Sequence, residues 1–272
     1  MEDLVRGGPR VGRLLTGHDL ESLLSTTDDV LARELAVAAG QRLLDLRAAG
    51  GDPEELRAAG DRLSHEFLIA ELARQRPADA VLSEEGSDNA ARLAARRVWI
   101  VDPLDGTREF GEQDREDWAV HVALWEDGEL TAGAVALPAQ DRVLSTGPAG
   151  VPAPASARLP DPIRMLVSRS RPPEFVRRLA DSLGALAVPL GSAGAKAAAV
   201  ITGAADAYVH SGGQYEWDSA APVAVALSAG LHASRIDGSR LTYNQASPYV
   251  PDLLICQHDL APRMLRAIAA AR

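Results

Sequence analysis

The chain has 272 residues, enough for one large or two closely joined domains with a substantial interior. Its 46% hydrophobic and 24% charged residues exclude a mostly disordered chain, and a formal net charge of -10 with no offsetting Lys/Arg run excludes a nucleic-acid polymer as partner. The single cysteine, Cys256, excludes an internal disulfide framework, and no Cys or His cluster has structural-zinc spacing; a reducing, cytoplasmic setting is expected.

Residues 1–27 contain no apolar run followed by a small-residue cleavage site, so they are expected to form a poorly ordered extension rather than a signal peptide, and no stretch approaches a membrane span. "TTDDVLARELAVAAGQRLLDLRAAG" opens on Thr/Asp caps and closes at Gly50, which predicts a helix. A second helix is predicted over "DRLSHEFLIAELARQRP", with Leu63, Phe67, Ala70 and Leu72 on its inner side and Pro77 ending it. Two short strands follow, "AVLSE" and "RVWIVD", and then an antiparallel meander, "WAVHVALWEDGELTAGAVALPAQDRVLST", turning at "EDGE". The Pro, Ala and Gly-rich stretch 147–162 reads as a linker, which places a domain boundary near residue 160.

Beyond that point strands and helices alternate as in a layered α/β unit: "IRMLVSRS" (strand), "PPEFVRRLADSLGA" (helix), "LAVPLG" (strand) and "AGAKAAAVITGAADAYVHS" (helix running into strand). "DSAAPVAVALSAGLHAS" continues as helix, "DLLICQ" as a strand holding Cys256 as a buried thiol, and "APRMLRAIAAAR" as a closing helix.

The chemistry concentrates in "RVWIVDPLDGTREF", where an apolar strand runs into Asp102 and Asp105. In a straight strand residues three apart point to opposite faces, so a bend at Pro103 and Gly106 is required to aim both carboxylates at one spot. Oxygen ligands suit hard cations such as Mg2+, and a helix opening at "GTREF" would present backbone amides to an anion. An ordinary Asp-Gly turn is the competing explanation. An EF-hand calcium loop fails on spacing, because counting from Asp102 its sixth position is Thr107 rather than Gly and its twelfth is Gln113 rather than Glu. Two further acidic signals bear on the choice: Glu84 and Glu85 at a strand end, and Asp218 before a helix, where it could equally be an N-cap. "GSAGAKAAAV" superficially suggests a P-loop, but Gly194 and Lys196 are not adjacent and Ala197 stands where Ser or Thr is needed. His65 and His121 show no paired spacing and are expected to be packing or surface residues.

Taken together in order, Glu84-Glu85, Asp102 to Thr107 and Trp217-Asp218 resemble the lithium-sensitive, metal-dependent phosphatase superfamily that includes inositol monophosphatases and 3'(2'),5'-bisphosphate nucleotidases. The resemblance spans roughly residues 28–270. "DGTREF" is similar to the CysQ branch, as are "DWAVHVALW" and the Ser-Arg-Ser segment "VSRSRPPEF", in which Arg171 replaces the branch's His.

What this implies is a layered α-β-α-β-α sandwich of the inositol monophosphatase and fructose-1,6-bisphosphatase type. An α+β half, 28–160, would carry most metal ligands, and an α/β half, 161–272, would carry Asp218 and the substrate pocket. The resemblance gives one Mg2+ to Glu84, Asp102 and the Leu104 carbonyl, a second to Asp102, Asp105 and Asp218, and a third, weaker site to the neighbourhood of Asp61 and Glu84. Thr107, fixed by Asp61, would orient the nucleophilic water, and the Gly106 and Thr107 amides would take phosphate oxygens. Asp61 could instead be only an N-cap of its helix. Arg108, Ser168, Arg171, Ser192 and Lys196 are the implied substrate contacts. The implied activity is hydrolysis of 3'-phosphoadenosine 5'-phosphate, or its sulfated analogue, to release phosphate. Inositol monophosphate or fructose 1,6-bisphosphate hydrolysis, and a non-catalytic phosphate-binding module, remain as alternatives. A small phosphorylated molecule is the expected partner, with no membrane, in a monomer or a homodimer.

Overall fold

A computed structural model of the chain describes residues 26–147, 161–170 and 174–271; Arg171 and most of the expected extension and linker lie outside them. Two five-stranded sheets organise the fold. The first has strand order β1-β2-β3-β4-β5, where β1 is Ala80–Ser83, β2 Arg97–Asp105, β3 Ala119–Glu126, β4 Glu129–Leu137 and β5 Arg142–Ser145. β1 and β2 are parallel, and the rest is the expected antiparallel meander turning at Asp127 and Gly128, both at positive φ. The second has order β7-β6-β8-β10-β9, built from β6 (Arg164–Ser168), β7 (Leu186–Leu190), β8 (Ala207–Tyr215), β9 (His232–Ser234) and β10 (Tyr249–Cys256).

Helices cover every face. α1 (Asp28–Ala49) and α2 (Pro53–Gln75) pack on the outside of the first sheet, where Leu31, Leu35, Leu43 and Leu68 meet Trp99, Val101, Val120 and Val122. α5 (Ala193–Ile201) and α6 (Glu216–Ser228) fill the space between the sheets against Val98, Ile100, Ala119 and Ala123 on one side and Tyr208, Leu253 and Ile255 on the other. α4 (Glu174–Leu183) and α7 (Ala261–Ala271) cover the far side of the second sheet. The five-layer α-β-α-β-α sandwich is therefore present, and it explains why "RVWIVD" reads as a continuous apolar run: alternate residues of β2 enter different cores, and both are dry.

Two elements differ from the sequence-based expectation. α2 starts at Pro53, not near Asp61, because Asp52 accepts the Glu54 and Glu55 amides as an N-cap and Pro53 needs no amide partner at the first helical position. Its inner face is Leu56, Gly60, Ser64, Leu68 and Leu72, whereas Leu63 and Ala70 are exposed and Phe67 is half-buried. A periodicity phased on large apolar residues misses a face that uses Gly and Ser where it must sit close to β2. The stretch over 218–234 is not one helix: α6 ends at Ser228, and β9 follows a turn at Gly230.

Candidate active site

Strand β2 does not end at Asp102. It runs to Asp105, and the register against β3 shifts from Asp102 opposite His121 to Asp105 opposite Ala119, so three steps on β2 match two on β3. This one-residue bulge, with Pro103 inside it, supplies the bend that brings Asp102 and Asp105 to one side. Helix α2 supports it: buried Ser64 donates to the Pro103 carbonyl at 2.7 Å, and a side chain at Gly60 would come within 2.8 Å of the Phe110 ring and 3.0 Å of Leu104. The Leu104 amide bonds back to Asp102 Oδ1 at 3.0 Å. Gly106 then takes φ 86°, a left-handed value that would strain other residues, and starts the short helix α3 (Thr107–Phe110).

Oxygens of Asp102, Asp105 and Asp218 converge within 4.8 Å of one another. Asp102 and Asp105 are buried, and Asp102 Oδ2 has no hydrogen-bond partner among the described residues. An orphaned anionic oxygen amid converging carboxylates fits a hard divalent cation, which would neutralise the charge that no protein donor meets. Glu84 lies just past the end of β1 at the open edge of this cluster and outside the convergent trio, with Glu85 exposed beside it.

Asp105 is fixed on several sides. Ser192 caps α5 and also donates its hydroxyl to Asp105 Oδ2, which receives the Gly194 amide at 2.6 Å as well; the Ala193 amide reaches Oδ1 at 3.2 Å. His121 Nε2 faces the same Oδ2 at 3.2 Å, and His121 Nδ1 meets the Trp217 carbonyl at 3.1 Å. Asp218 is the third residue of α6 rather than its N-cap, and its carboxylate accepts the Tyr215 amide at 2.6 Å. Asp61 likewise lies within α2 and is no N-cap; Thr107 Oγ1 is 3.3 Å from Asp61 Oδ1 and 3.0 Å from the Leu104 carbonyl.

The crowding of carboxylates is visible in their protonation. Burial, then the charges of Glu84, Asp105 and Asp218, pushes Asp102 well up. Glu84 rises to about 7, from burial of its carboxyl and then from Asp218 and Asp105, and Asp218 rises to about 6, from burial and then Asp105. Asp61 rises to about 6, from burial and then the Glu85 charge, against the Thr107 hydroxyl. Asp105 alone goes down, to about 2: burial opposes this, but His121, Ser192 and the Gly194 amide outweigh it.

Beside the cluster opens a cavity of about 390 Å3, within the range of small-molecule sites, lined by Asp105, Gly106, Ser168, Ser192, Lys196 and Asp218 among others. Lys196 is buried, not surface-exposed; its Nζ donates to the Gly191 and Ser192 carbonyls and lies 5.2 Å from the Tyr208 ring centre. Ser192 already serves Asp105 and the helix cap. Arg108 is exposed on α3 and does not line the cavity, whereas its neighbour Glu109 does, paired with Arg169 at 2.7 Å. Sequence reasoning missed His121, which is fully buried beneath the cluster. Its signal was present but indirect: it sits on the inward-facing phase of β3, shared with Ala119 and Ala123.

Comparison with known proteins places this geometry. The inositol monophosphatase family matches residues 29–271. The chain is 50% identical over 253 residues to the 3'-phosphoadenosine 5'-phosphate phosphatase of Mycobacterium leprae, covering 89% of this chain and 93% of that protein. It is 52% identical over 240 residues to the protein of the same name from Mycobacterium bovis, covering 86% and 90%. The crystal structure of CysQ from Bacteroides thetaiotaomicron, a bacterial member of the inositol monophosphatase family, superposes with a TM-score of 0.72 at 25% identity over 87% of this chain and 99% of that one. With a match running from the first turn of α1 to the last residue of α7, the chain belongs to the inositol monophosphatase family and is a phosphatase.

Proposed function

We propose that the chain is a Mg2+-dependent phosphomonoesterase that converts 3'-phosphoadenosine 5'-phosphate to AMP and phosphate, with the sulfated analogue as a second substrate. The observation that carries the chemistry is the convergence of buried Asp102 and Asp105 with half-buried Asp218, with Asp102 Oδ2 left without a donor among the described residues. The nucleotide is supported by the two relatives at 50% and 52% identity that bear that activity in their names.

Glu84, Asp102 and the Leu104 carbonyl would hold one Mg2+ and Asp102, Asp105 and Asp218 a second, with Asp61 and Glu84 bordering a weaker third. Bound there, the ions supply positive charge for the attacking and leaving oxygens of an in-line displacement. The protein's part is positional. Thr107 has one hydroxyl proton and two acceptors in reach, Asp61 and the Leu104 carbonyl. With Asp61 ionised, that proton is held and an Oγ1 lone pair is left to accept from, and so aim, the attacking water. Helical bonding in α3 begins with the Phe110 amide on the Gly106 carbonyl, so the Gly106 and Thr107 amides precede it at the phosphate end. Lys196 has three donors and gives two to carbonyls, leaving one for the substrate's second phosphate or sugar from the cavity wall, near Ser168. Buried Cys256, its thiol pushed up to about 12 by burial, is inert and consistent with a reducing compartment.

The test is phosphate release from the bisphosphate nucleotide, inositol 1-phosphate and fructose 1,6-bisphosphate, with and without Mg2+ and Li+. The expected result is Mg2+-dependent, Li+-inhibited release, highest with the nucleotide. A clear preference for either sugar substrate overturns the nucleotide assignment, and undiminished release after chelation overturns the metal assignment.

A further inference from the structure

We propose that His121 is a positioning residue for the metal centre: it locks the orientation of Asp105 and ties it to the helix that carries Asp218. The inference rests on the metal-site reading above. Asp102 and Asp105 sit on β2, in the first sheet, whereas Asp218 sits on α6, which enters from the second half of the chain. Something must hold these two elements in a fixed relation if their carboxylates are to share ions, and His121 touches both.

The geometry is specific. His121 is directly opposite Asp102 in the β2-β3 ladder, so its side chain shares Asp102's face, and the bulge then carries Asp105 over the ring. Nδ1 meets the Trp217 carbonyl, which only accepts, so Nδ1 carries a hydrogen and the ring plane is set by the residue preceding Asp218. Nε2 lies 3.2 Å from Asp105 Oδ2 without the geometry of a hydrogen bond; with Nδ1 already carrying a hydrogen, it attracts that oxygen as an ion pair when the ring holds its second one. Among the described contacts to Asp105, the Ser192 hydroxyl and the Ala193 and Gly194 amides come from one segment at the start of α5, and His121 approaches from another element. Oδ2 is thus crowded by donors while Oδ1 receives a single amide at 3.2 Å, which leaves Oδ1 as the oxygen to face a cation.

Gly194 provides an independent sign that this contact is built in. A Cβ at that position would lie 2.2 Å from His121 Nε2 and 2.9 Å from the Ala119 Cβ. A glycine within a helix is disfavoured relative to alanine. Its presence in the first turn of α5 lets the helix start approach the imidazole closely enough for both to engage Asp105.

The experiment compares His121→Leu with wild type in the full chain on two readouts: the Mg2+-induced rise in melting temperature of metal-free protein, and the Mg2+ half-activation and KM of phosphate release. Loss of a group that orients a metal ligand is expected to raise half-activating Mg2+ roughly tenfold. The Mg2+-induced thermal shift should fall in parallel, while KM at saturating Mg2+ stays within about twofold. His121→Gln, which keeps one donor, should fall between the two at about threefold. A purely structural histidine would lower the metal-free melting temperature and leave half-activation unchanged, and that outcome overturns the proposal. Should His121→Leu fail to fold, His121→Gln decides by the same measure. A wild type that shows no Mg2+-induced shift overturns the metal reading and this proposal with it, whereas wild type and variant shifting equally overturns this proposal alone.

Discussion

The two ends of the active-site cavity are constructed differently. At the carboxylate end, Asp102 and Asp105 are buried, carried on a strand packed on both faces, and held by backbone amides and the neighbouring Ser192 and His121. Among the residues proposed for recognition, Lys196 rests on the Gly191 and Ser192 carbonyls, Ser168 ends a strand, and Arg108 is exposed and does not line the cavity. On the proposed roles, the carboxylates draw contacts from β2, β3 and α5, whereas Lys196 is held by carbonyls at the start of its own helix. A site can then keep its reaction while its substrate changes.

The most severe way to break this contrast is Asp105→Asn. It removes one charge from the fixed end, and phosphate release should drop on the order of a thousandfold or more at any Mg2+ concentration, since a metal ligand and its anchor are lost together. Circular dichroism should show the fold retained; near-normal turnover would remove Asp105 from the chemistry. At the recognition end, Lys196→Gln should be milder and differently distributed: KM for the bisphosphate nucleotide about tenfold higher, kcat within severalfold, and little change for a substrate with one phosphate. If kcat collapses instead, Lys196 belongs with the carboxylate end and the division fails.

A smaller effect sharpens the comparison through pH. Glu84 at about 7 and Asp218 and Asp61 at about 6 all titrate above the ordinary carboxylate range. Such groups favour the folded metal-free protein while protonated, and this contribution disappears as pH rises through about 6 to 7. Asp105 has the opposite sign, but its contribution is lost only as pH falls through about 2, far below that window. On the proposed metal assignment Mg2+ would bind the ionised carboxylates, so its stabilisation should be slight at pH 5 and amount to several degrees at pH 8. Thermal melts with and without Mg2+ across that range give the answer, and a shift independent of pH would mean the raised carboxylates are not those that take the metal.

How much of this was legible beforehand follows the same division. Alternating apolar segments read as α/β elements, whereas the five-layer sandwich came from the family resemblance that the short acidic motifs carry. Asp102, Asp105 and Asp218 were visible as residues, but the device that aligns the first two is a bulge inside β2, and a bulge is a property of a strand and its partner together. The inner face of α2 was mis-phased for a related reason: Gly60 and Ser64 look like interruptions until they are seen fitting against Leu104, Phe110 and the Pro103 carbonyl. His121 was legible only as an inward-facing position of β3, and only the meeting of β3 with α5 and α6 gives it partners. Lys196 ran against the general exposure of lysine, and its burial depends on carbonyls of a loop that sequence periodicity does not describe.

The bulge also sets what kind of change the active site can tolerate. Removing one residue between Asp102 and Asp105 would restore even spacing to the ladder and abolish the bend, together with the Ser64 bond to the Pro103 carbonyl and the placement of the Leu104 carbonyl that depend on it. Side chains around the cavity can be exchanged one at a time, each with a graded effect. The number of residues between the two aspartates cannot be changed by one without losing the bulge that shapes the turn between them, so in this stretch chain length itself acts as a functional group, and a library that varies composition will be far richer in active members than one that varies length.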